Sequence, residues 1–441
     1  MLETGQAFAR AFATETDAAQ MYRRYKWTAL LGVSFCYLFY YLGRQTFGFA
    51  IPGIQKELGL SKEMLGWVSA SMLWAYALGQ SINGNLGDKW GGRVMMLAGA
   101  VLSFAANWAT SLSHSFVALL LAWGLNGYFQ AMGFAPGSRL LSNWWGHRHR
   151  GFVYSFYVGM SGFSSVLAYF VPIIILGTLG LDWRWIFRLS VFLMLFGAIV
   201  MFLVVRERPE DLGLKGPADE KSPEEADADS EVDSKTSGAR YRAVLSNWRL
   251  YATGLSIGFQ NAARYALLVW VPVHFLGPNW KSAATVIDPV WITVALPVGM
   301  ALGASTNSWI SDVLFKSRRY LAIISYMVLA AIIALAMELV PHGSLIGIAG
   351  LFLCGFFVFG PASSFWALCP DIFGRRLSGT ATGVLNFISY AGAGIGEPLI
   401  DGTQGTPSNH AINCPIAACT CAERAATALR GMGGRRGRGP A

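Results

Sequence analysis

Charged side chains are scarce in this chain, and their scarcity excludes an ordinary soluble domain. Only 13% of the 441 residues are Asp, Glu, Lys or Arg, against roughly 25% in soluble domains, whereas 54% are hydrophobic. Apolar runs near or above the ~20 residues that cross a ~30 Å hydrocarbon core recur along the sequence. The net charge of +9 lies in short loops rather than in a basic patch with interleaved aromatic residues, so nucleic acid is not an expected partner. The composition predicts an integral membrane protein whose environment is the lipid bilayer.

Cysteines and catalytic clusters are also poorly represented. Cys36, Cys354 and Cys369 lie in or beside apolar segments, where a free thiol behaves as a small hydrophobic group. The other three cysteines crowd the C-terminal tail without the spacing of metal ligands. The sequence shows no nucleophile beside a base, no pair of catalytic carboxylates and no phosphate-binding loop within a βαβ unit. It therefore predicts no metal, no cofactor and no enzymatic activity.

Eleven apolar segments are long enough to be membrane-spanning helices, and a polar segment divides them into a set of six and a set of five. The predicted spans lie near residues 27–52, 63–85, 93–112, 115–141, 150–176, 184–205, 248–275, 290–312, 319–340, 343–367 and 375–400. Charge, Pro, Ser and Gly are frequent in the polar segment, which predicts a disordered linker in the cytoplasm. The predicted domains are an N-terminal segment over 1–26, an N-terminal bundle over 27–205, the linker over 206–247, an incomplete C-terminal bundle over 248–400 and an aberrant low-complexity tail over 401–441.

The segment after Ile400 supplies no twelfth span. Its longest weakly apolar piece, residues 411–422, is about half of the required length. With eleven spans the tail and its five arginines would emerge outside the cell, against the positive-inside rule. We interpret residues 401–441 as a frameshifted, mis-spliced or truncated reading, and we expect the second half to lack one supporting helix.

The Lys and Arg residues of the short loops predict the orientation in the membrane. Arg23 and Arg24 precede the first span, and Lys316 and Arg318 follow the eighth, whereas the alternate loops hold almost no basic residues. The N-terminus and the linker are therefore expected in the cytoplasm. The expected location is a plasma or inner membrane, with an endomembrane as the alternative, and the expected state is a monomer.

Two loops carry the same pattern and indicate an internal repeat. "GNLGDKWGGR" follows the second span and "SWISDVLFKSRR" the eighth; each has a small residue, three further residues, an Asp and then basic residues. Such an Asp can pair with basic side chains and helix ends, and can thereby hold the two halves in one state. An ordinary solvated turn is the alternative. The candidate residues of this conformational latch are Gly84, Asp88, Lys89, Arg93 and Asp312.

Two arginines lie at least eight residues from either end of a predicted span, where a guanidinium costs roughly 2.5–3.5 kcal/mol without a partner or a water-filled cavity. Arg44 in the first span and Arg264 in the seventh each precede a proline, Pro52 and Pro272, by eight residues. Repeats related by an axis along the membrane normal place such positions opposite each other across a central cavity. Neither span contains Asp or Glu. Because paired guanidiniums match the oxygens of phosphate, we expect a doubly charged ligand; snorkelling to the surface or a structural ion pair is the alternative.

Other polar residues of the spans are weaker candidates. Tyr37 and Tyr41 lie four residues apart on one helix face, and Tyr41 is three residues before Arg44, so one or both are candidates to bind the ligand. Aromatic packing is the alternative. Asn126 and Gln130 form a similar pair within the fourth span.

The loop "GNLGDKWGGR" resembles the signature of the major facilitator superfamily. More narrowly, "YYLGRQTFGFAIP", "ARYALLVWVP", "RPEDLGL" and "FGPASSFWALCPDIFGRRLSGTATG" resemble the organophosphate:phosphate antiporters, which include glycerol-3-phosphate, hexose-phosphate and microsomal glucose-6-phosphate transporters. The resemblance covers about residues 22–400. It implies an all-α membrane fold of two pseudo-symmetric six-helix bundles, here with eleven spans, and it implies that Arg44 and Arg264 bind the phosphate of both exchanged substrates.

Two positions depart from that family. Gln80 stands where the family often has a lysine, and Ser161 stands where its glycerol-3-phosphate branch has a histidine. Both are candidates for neutral hydrogen bonds to the substrate, and core packing is the alternative. The predicted function is exchange of an organophosphate, of the sugar phosphate or glycerol phosphate class, for inorganic phosphate by alternating access. The alternatives are an ion-coupled symporter of a carboxylated sugar or organic acid, and a transporter-like sensor of sugar phosphate.

Overall fold

The computed structural model of this chain describes residues 15–216, 236–276, 289–316, 318–337 and 345–401, and these residues are helical throughout apart from short connections. Predictions about the tail, the first 14 residues and the middle of the linker lie outside the described residues. The chain folds into two compact units. The first comprises Met1–Val153, Phe163–Val244 and Cys369–Val384, and the second comprises Tyr154–Gly162, Leu245–Leu368 and Leu385–Ala441.

The helices follow the predicted spans closely at most of their ends. In chain order they are α1 (Glu15–Tyr40), α2 (Phe47–Leu58), α3 (Lys62–Trp90), α4 (Gly92–Ser111), α5 (Phe116–Gln130), α6 (Phe134–Trp144), α7 (His147–Ile173), α8 (Arg184–Val204), α9 (Ser237–Leu245), α10 (Trp248–Leu276), α11 (Pro289–Val313), α12 (Arg319–Met337), α13 (Leu345–Phe359) and α14 (Pro361–Asp401). Within the described ranges, five helical segments are long and apolar enough to cross a bilayer. They are Gly92–Ser111, Phe116–Trp144, Arg184–Val204, Arg319–Met337 and Ile346–Ala391.

Large apolar side chains cover the outside of α8. Phe192, Phe196, Ile199 and Leu203 recur every three or four residues, so they share one face of the helix, and they are 44–64% exposed. A soluble protein rarely exposes so large a continuous apolar surface, because its hydration is unfavourable. This face is therefore suited to contact with lipid.

Glycine allows the closest helix contacts in both units. In the first unit α3 packs along α5, where a Cβ added at Gly127 would overlap the backbone of Met72. In the second unit α11 packs along α13, where a Cβ at Gly303 would overlap the backbone of Phe356. Small residues at such crossings let membrane helices gain van der Waals contact where no hydrophobic effect drives their association.

The structure corrects two predicted segments. The first predicted span, 27–52, is not one continuous helix, because α1 ends at Tyr40 and α2 begins only at Phe47. The segment 206–247 is predicted to be disordered, but both of its ends are folded. A short 3₁₀ helix at Glu210–Leu212 buries Leu212, and α9 buries Arg240, which donates to Asn85 Oδ1 at 3.1 Å. Burial of Leu212 at one end and the hydrogen bond from Arg240 to Asn85 at the other offset the conformational entropy that is lost when these ends become ordered.

The last turn of α2 is tied to the first turn of α8 by an ion pair. Glu57 Oε1 lies 2.7 Å from a terminal guanidinium nitrogen of Arg184, and Glu57 Oε2 accepts from Trp183 Nε1 at 2.8 Å. Arg184 also donates to the carbonyl of Ser111, at 2.6 Å. The cluster fixes α2, and hence the end of the break in the first span, against α8.

The Glu57–Arg184 pair predicts a dependence of stability on pH. The hydrogen bond from Arg184 holds the pKa of Glu57 below its ordinary value of 4.5. A depressed folded-state pKa contributes stability that is present above the unfolded value and is lost as the pH falls through the folded value. We expect Glu57→Gln to lower Tm by about 1–2 °C at pH 7, because the carboxylate is half exposed, and we expect this difference to shrink as the pH falls below 4.5 and the wild-type carboxyl becomes protonated. Thermal unfolding of both proteins from pH 7 to pH 3.5 measures this; a constant difference across the range would contradict the assignment.

Candidate functional site

The break in the first span carries Arg44. Residues Tyr41–Gly43 form one turn of 3₁₀ helix after α1, and Arg44 follows with non-helical dihedral angles, φ −138° and ψ −24°. The backbone N–H groups of Arg44 and Gln45 both donate to the carbonyl of Tyr41, at 3.1 and 2.9 Å. Arg44 is therefore presented by an irregular segment inside the predicted membrane region, where backbone polar groups must find partners within the protein.

Tyrosines of two helices surround the Arg44 guanidinium. Its Cζ lies 3.9 Å from the ring centroid of Tyr41 and 4.7 Å from that of Tyr76, and a terminal nitrogen donates to Tyr37 Oη at 3.5 Å. Cation–π contacts stabilise a guanidinium that has lost water, by about 2 kcal/mol when desolvated. The structure thus brings the two predicted tyrosines to Arg44. Sequence reasoning missed Tyr76, because it lies 32 residues away on α3 and no local pattern links it to Arg44.

Gln80 lies one turn after Tyr76 on the same face of α3. Its side chain is fully buried, and neither amide atom has a hydrogen-bond partner among the described residues. A buried amide without a partner costs roughly 1–3 kcal/mol, which a ligand or an ordered water can recover. Ser161 lies on α7 in the segment that belongs to the second unit, and its hydroxyl donates to the carbonyl of Val158 at 2.6 Å.

Arg264 lies on α10 in the second unit. Its Cζ lies 4.6 Å from the ring centroid of Phe359, and it donates to Asn261 Oδ1 at 3.5 Å. Asn261 in turn donates to the hydroxyl of Ser389. An aromatic ring and a fixed amide oxygen thus orient this guanidinium too.

The loop "GNLGDKWGGR", Gly84–Arg93, forms a helix–loop–helix corner in which Asp88 is the centre of a buried network within the first unit. Asp88 Oδ1 lies 2.9 Å from Arg139 Nε, and Arg139 also donates to the carbonyl of Gly87 at 2.5 Å. Asp88 further accepts from the backbone N–H groups of Gly379 and Thr380, at 3.0 and 2.7 Å, and from the Thr380 hydroxyl at 2.6 Å. The sequence indicated basic partners and helix ends, and the structure identifies them as Arg139 of α6 and the part of α14 that follows its non-helical Gly374.

The close contact between α3 and α14 also requires a glycine at position 84. A Cβ added there would overlap the backbone of Gly379 and approach that of Gly383, so a side chain would push α3 away from α14. The spacing Gly84 to Asp88 is one helical turn, which places both on the face that meets α14. This explains physically why a small residue precedes the aspartate by four positions.

The two basic residues of this loop, Lys89 and Arg93, lie in different environments. Lys89 is exposed and lies 5.9 Å from the ring centroid of Trp90. Arg93 donates through Nε to the carbonyl of Phe202 at 2.8 Å, and Glu207 accepts from the N–H groups of Gly92 and Arg93, both at 2.9 Å. Glu207 thus caps the first turn of α4, where a negative charge is stabilising. Sequence reasoning missed this cap, because Glu207 reads as the start of a soluble linker.

The second loop of the repeat, which follows the eighth predicted span, contains an ion pair of Asp312. Asp312 Oδ1 lies 3.0 Å from a terminal nitrogen of Arg319, which is buried. A further buried pair belongs to the first unit, between Arg150 and Asp371 Oδ1 at 2.9 Å, and His147 Nδ1 lies 2.9 Å from the same oxygen. Sequence reasoning did not identify the pair between Arg150 and Asp371.

Apolar helices with an exposed apolar surface, an arginine in a broken span and a buried polar loop between two helices are together typical of a multi-pass membrane protein. A sequence profile of the Major Facilitator Superfamily matches residues 33–397. The chain belongs to this superfamily, whose members are transporters and not enzymes. The superfamily resemblance in the corner motif is thereby confirmed.

The sequence is also similar to those of individual transport and sensor proteins from bacteria. The chain is 28% identical to the glycerol-3-phosphate transporter of Bacillus subtilis over 86% of this chain and 85% of the relative. It is 26% identical to a probable hexose phosphate transport protein of Chlamydia trachomatis, with 82% of each chain covered. It is 25% identical to the membrane sensor protein UhpC of Escherichia coli, with 87% of each covered.

A solved structure of the proton:xylose symporter XylE matches with a TM-score of 0.72 at 15% identity, covering 93% of this chain and 96% of that one. At this identity the match shows the fold alone. The all-helical major facilitator fold expected from the sequence is therefore confirmed, and the chain is a multi-pass integral membrane protein.

Proposed function

We propose that this protein exchanges an organophosphate, of the sugar phosphate or glycerol phosphate class, for inorganic phosphate by alternating access. The observation that carries the proposal is Arg44, held in a non-helical break among Tyr37, Tyr41 and Tyr76. A guanidinium and phenolic hydroxyls are donors for phosphate oxygens, and charge-assisted hydrogen bonds strengthen where water is excluded. The relatives named as glycerol-3-phosphate and hexose phosphate transporters support the same ligand class.

Both arginines take part in this proposal. Arg44 and Arg264 each have an aromatic ring and a hydrogen-bond acceptor that orient the guanidinium. The equal spacing of each arginine to a following proline supports equivalent roles in the two repeats. Gln80 and Ser161 are proposed to supply neutral hydrogen bonds to the substrate, and the orphaned amide of Gln80 supports that role.

The corner residues are proposed to control which state of the transport cycle is populated. Asp88, with Gly84, joins α3 to α14 through the Gly379 and Thr380 amides, and a contact of this kind can be broken only as a unit. Asp312, with Arg319, is proposed to act in the same way in the second repeat, and Lys89 and Arg93 to support the first.

The finer topology also remains a proposal. We propose eleven spans, a cytoplasmic N-terminus, a monomeric state and a plasma or inner membrane location. The basic loops support the orientation, since Arg and Lys concentrate at alternate helix connections.

Exchange of labelled phosphate tests the function directly. Purified protein is reconstituted in vesicles loaded with unlabelled inorganic phosphate, without any ion gradient, and uptake of labelled phosphate is measured. An antiporter takes up label, and external sugar phosphates or glycerol phosphate compete, whereas a symporter of organic acids does not exchange phosphate. Vesicles loaded with sulfate are the control. Absence of phosphate exchange in well-folded protein would exclude the proposal.

The sensor alternative is favoured by one observation, the 25% identity to the membrane sensor protein UhpC. A sensor binds its ligand and signals through a partner, so the purified protein would bind phosphate esters without moving them. Persistent exchange by the purified protein would exclude sensing as its sole role.

A further inference from the structure

The carbonyl group next to Arg44 is bound by asparagines of two other helices. Gly43 O accepts from Asn126 Nδ2 on α5 at 2.7 Å and from Asn107 Nδ2 on α4 at 3.2 Å. The peptide that joins Gly43 to Arg44 is thus fixed by side chains that are 64 and 83 residues away in the sequence. Neither asparagine belongs to the ligand-binding set proposed above.

The two asparagines belong to a buried polar network that fixes their orientation. Asn126 Oδ1 accepts from Ser103 Oγ at 2.6 Å and from Asn107 Nδ2 at 3.0 Å. Gln130 Nε2 donates to Ser103 Oγ at 2.8 Å. All four side chains are at most 1% exposed. Asn126 Oδ1 accepts both of these hydrogen bonds, which fixes the amide so that its Nδ2 group faces the carbonyl of Gly43.

The cost of burying this network is offset by the bonds that it makes. Amides inside an apolar bundle are unfavourable unless they are hydrogen bonded. Each of the four side chains makes at least one hydrogen bond, while Asn107 Oδ1 and Gln130 Oε1 have no partner among the described residues, and the bonds that are made favour one arrangement of the surrounding helices. Gly43 fits that arrangement closely, because an added Cβ would overlap Gln130 Nε2 and lie 3.0 Å from Met194 Sδ. The network therefore determines where the Gly43 peptide lies.

A third helix contacts the same break. Ser164 on α7 accepts from the backbone N–H of Tyr41 at 3.3 Å. Side chains of α4, α5 and α7 thus bind backbone groups of a segment that has few helical hydrogen bonds of its own. This is the arrangement expected where a broken membrane helix must keep one fixed geometry.

We propose that Asn126 and Asn107 are positioning residues for Arg44: by holding the Gly43 peptide they set the direction from which the guanidinium reaches phosphate. The asparagines do not touch the ligand. This inference rests on the proposed function for the identity of the ligand, but the hold on the break stands on geometry alone. It also gives Asn126 and Gln130 a structural role in place of the ligand contact that their spacing could suggest.

The first test compares Asn126→Leu with a matched control, Asn83→Leu. Asn83 is also fully buried on a helix of the same unit, and its Nδ2 donates to the carbonyl of Tyr128 at 3.1 Å, away from the break. Hydrogen–deuterium exchange of the peptide covering residues 40–47 is measured together with the Kd for inorganic phosphate, scaled to folded protein. We expect faster exchange in that peptide and a Kd raised about tenfold for Asn126→Leu, and neither change for Asn83→Leu.

A double-variant cycle separates positioning from general destabilisation. If Asn126 acts through Arg44, then Asn126→Leu adds little to the loss that Arg44→Lys already causes, and the two effects on Kd are strongly non-additive. Additive effects would overturn the inference. Asn107→Leu, which leaves Asn126 in place, serves if Asn126→Leu does not fold, and is expected to raise Kd about threefold through loss of its longer bond.

A compensating pair provides an independent test of the close contact. Gly43→Ala alone is expected to displace the Gln130 amide and raise the phosphate Kd, whereas Gly43→Ala combined with Gln130→Ala removes the overlap and restores binding in large part. No rescue by the second substitution would count against the network.

The outcomes distinguish the inference from the proposed function. If hydrogen exchange at residues 40–47 rises in Asn126→Leu while the wild-type protein binds no phosphate, the positioning of Arg44 stands and the proposed function fails. If the wild type binds phosphate while exchange and Kd are unaffected by Asn126→Leu, the inference fails and the function stands.

Discussion

Replacing Arg44 by lysine is expected to raise the Kd for inorganic phosphate about 100-fold and to abolish phosphate exchange at micromolar substrate. Lysine keeps the charge but loses the planar fork that binds two phosphate oxygens at once. It also loses much of the stacking on Tyr41 and Tyr76 that orients the guanidinium, at 3.9 and 4.7 Å. Arg44→Gln, which removes the charge as well, is expected to bind no phosphate at all.

Binding is measured with labelled phosphate on purified protein, and exchange is measured in vesicles. Arg188→Lys is the matched control: Arg188 is a half-buried arginine of α8 that donates to Ser111 Oγ at 3.0 Å and lies near the Trp185 ring, and it is not part of the proposed phosphate site. We expect its phosphate Kd to equal that of the wild type. Arg264→Lys is expected to behave like Arg44→Lys, because the proposal gives both guanidiniums the same ligand.

An unchanged Kd in Arg44→Lys would refute the phosphate site, since a plain positive charge would then suffice. An unchanged Kd in Arg264→Lys alone would confine the site to the first repeat. Thermal unfolding of each variant is measured to verify that a change in Kd does not arise from loss of the folded structure.

The second large effect is expected at the buried corner, where Asp88→Asn should lower the free energy of unfolding by about 3 kcal/mol. Asparagine has nearly the shape of aspartate, so the helices need not move. The substitution leaves the buried Arg139 guanidinium without its carboxylate and weakens three hydrogen bonds that a charge now strengthens.

Thermal unfolding in detergent, followed by tryptophan fluorescence, measures the loss as a fall in Tm of several degrees. Lys89→Gln is the control, because it removes one charge from the exposed neighbour and is expected to change stability by less than about 0.5 kcal/mol. In the double variant Asp88→Asn with Arg139→Gln we expect part of the stability to return, since no uncompensated buried charge remains. Equal Tm values for Asp88→Asn and Lys89→Gln would show that the corner network contributes nothing.

Much of the fold followed from local patterns. Hydrophobic runs of about 20 residues placed α3, α4, α8 and α12 to within a few residues, because crossing a bilayer fixes the length and polarity of a helix. The break at residues 41–46 was invisible to this reasoning. Its segment, YLGRQT, has no proline and only one glycine, a residue that is common within membrane helices, and the hydrogen bonds that stabilise it come from Asn107, Asn126 and Ser164 on other helices.

The candidate site shows the same division. Arg44, Tyr37 and Tyr41 were identifiable because they lie within one turn or two of each other, and a charge in an apolar run is conspicuous. Tyr76 was not, since its distance from Arg44 in space has no counterpart in the sequence. In the loop after the second span, the sequence indicated that Asp88 pairs with basic side chains and helix ends, but Arg139, Gly379 and Thr380 as the partners required the packed helices.

By itself, then, the sequence determined that this chain crosses a membrane repeatedly and that it carries cationic side chains where lipid would reject them, and it predicted two related halves. These properties are set by composition and by spacing along one helix, and both act locally. Only the tertiary structure decided that the first span is broken, that tyrosines enclose Arg44, and that Asp88 binds Arg139 and the α14 amides. Each of these depends on groups from distant segments meeting in a low-dielectric interior, where a polar group is tolerated only when its partner is already in place.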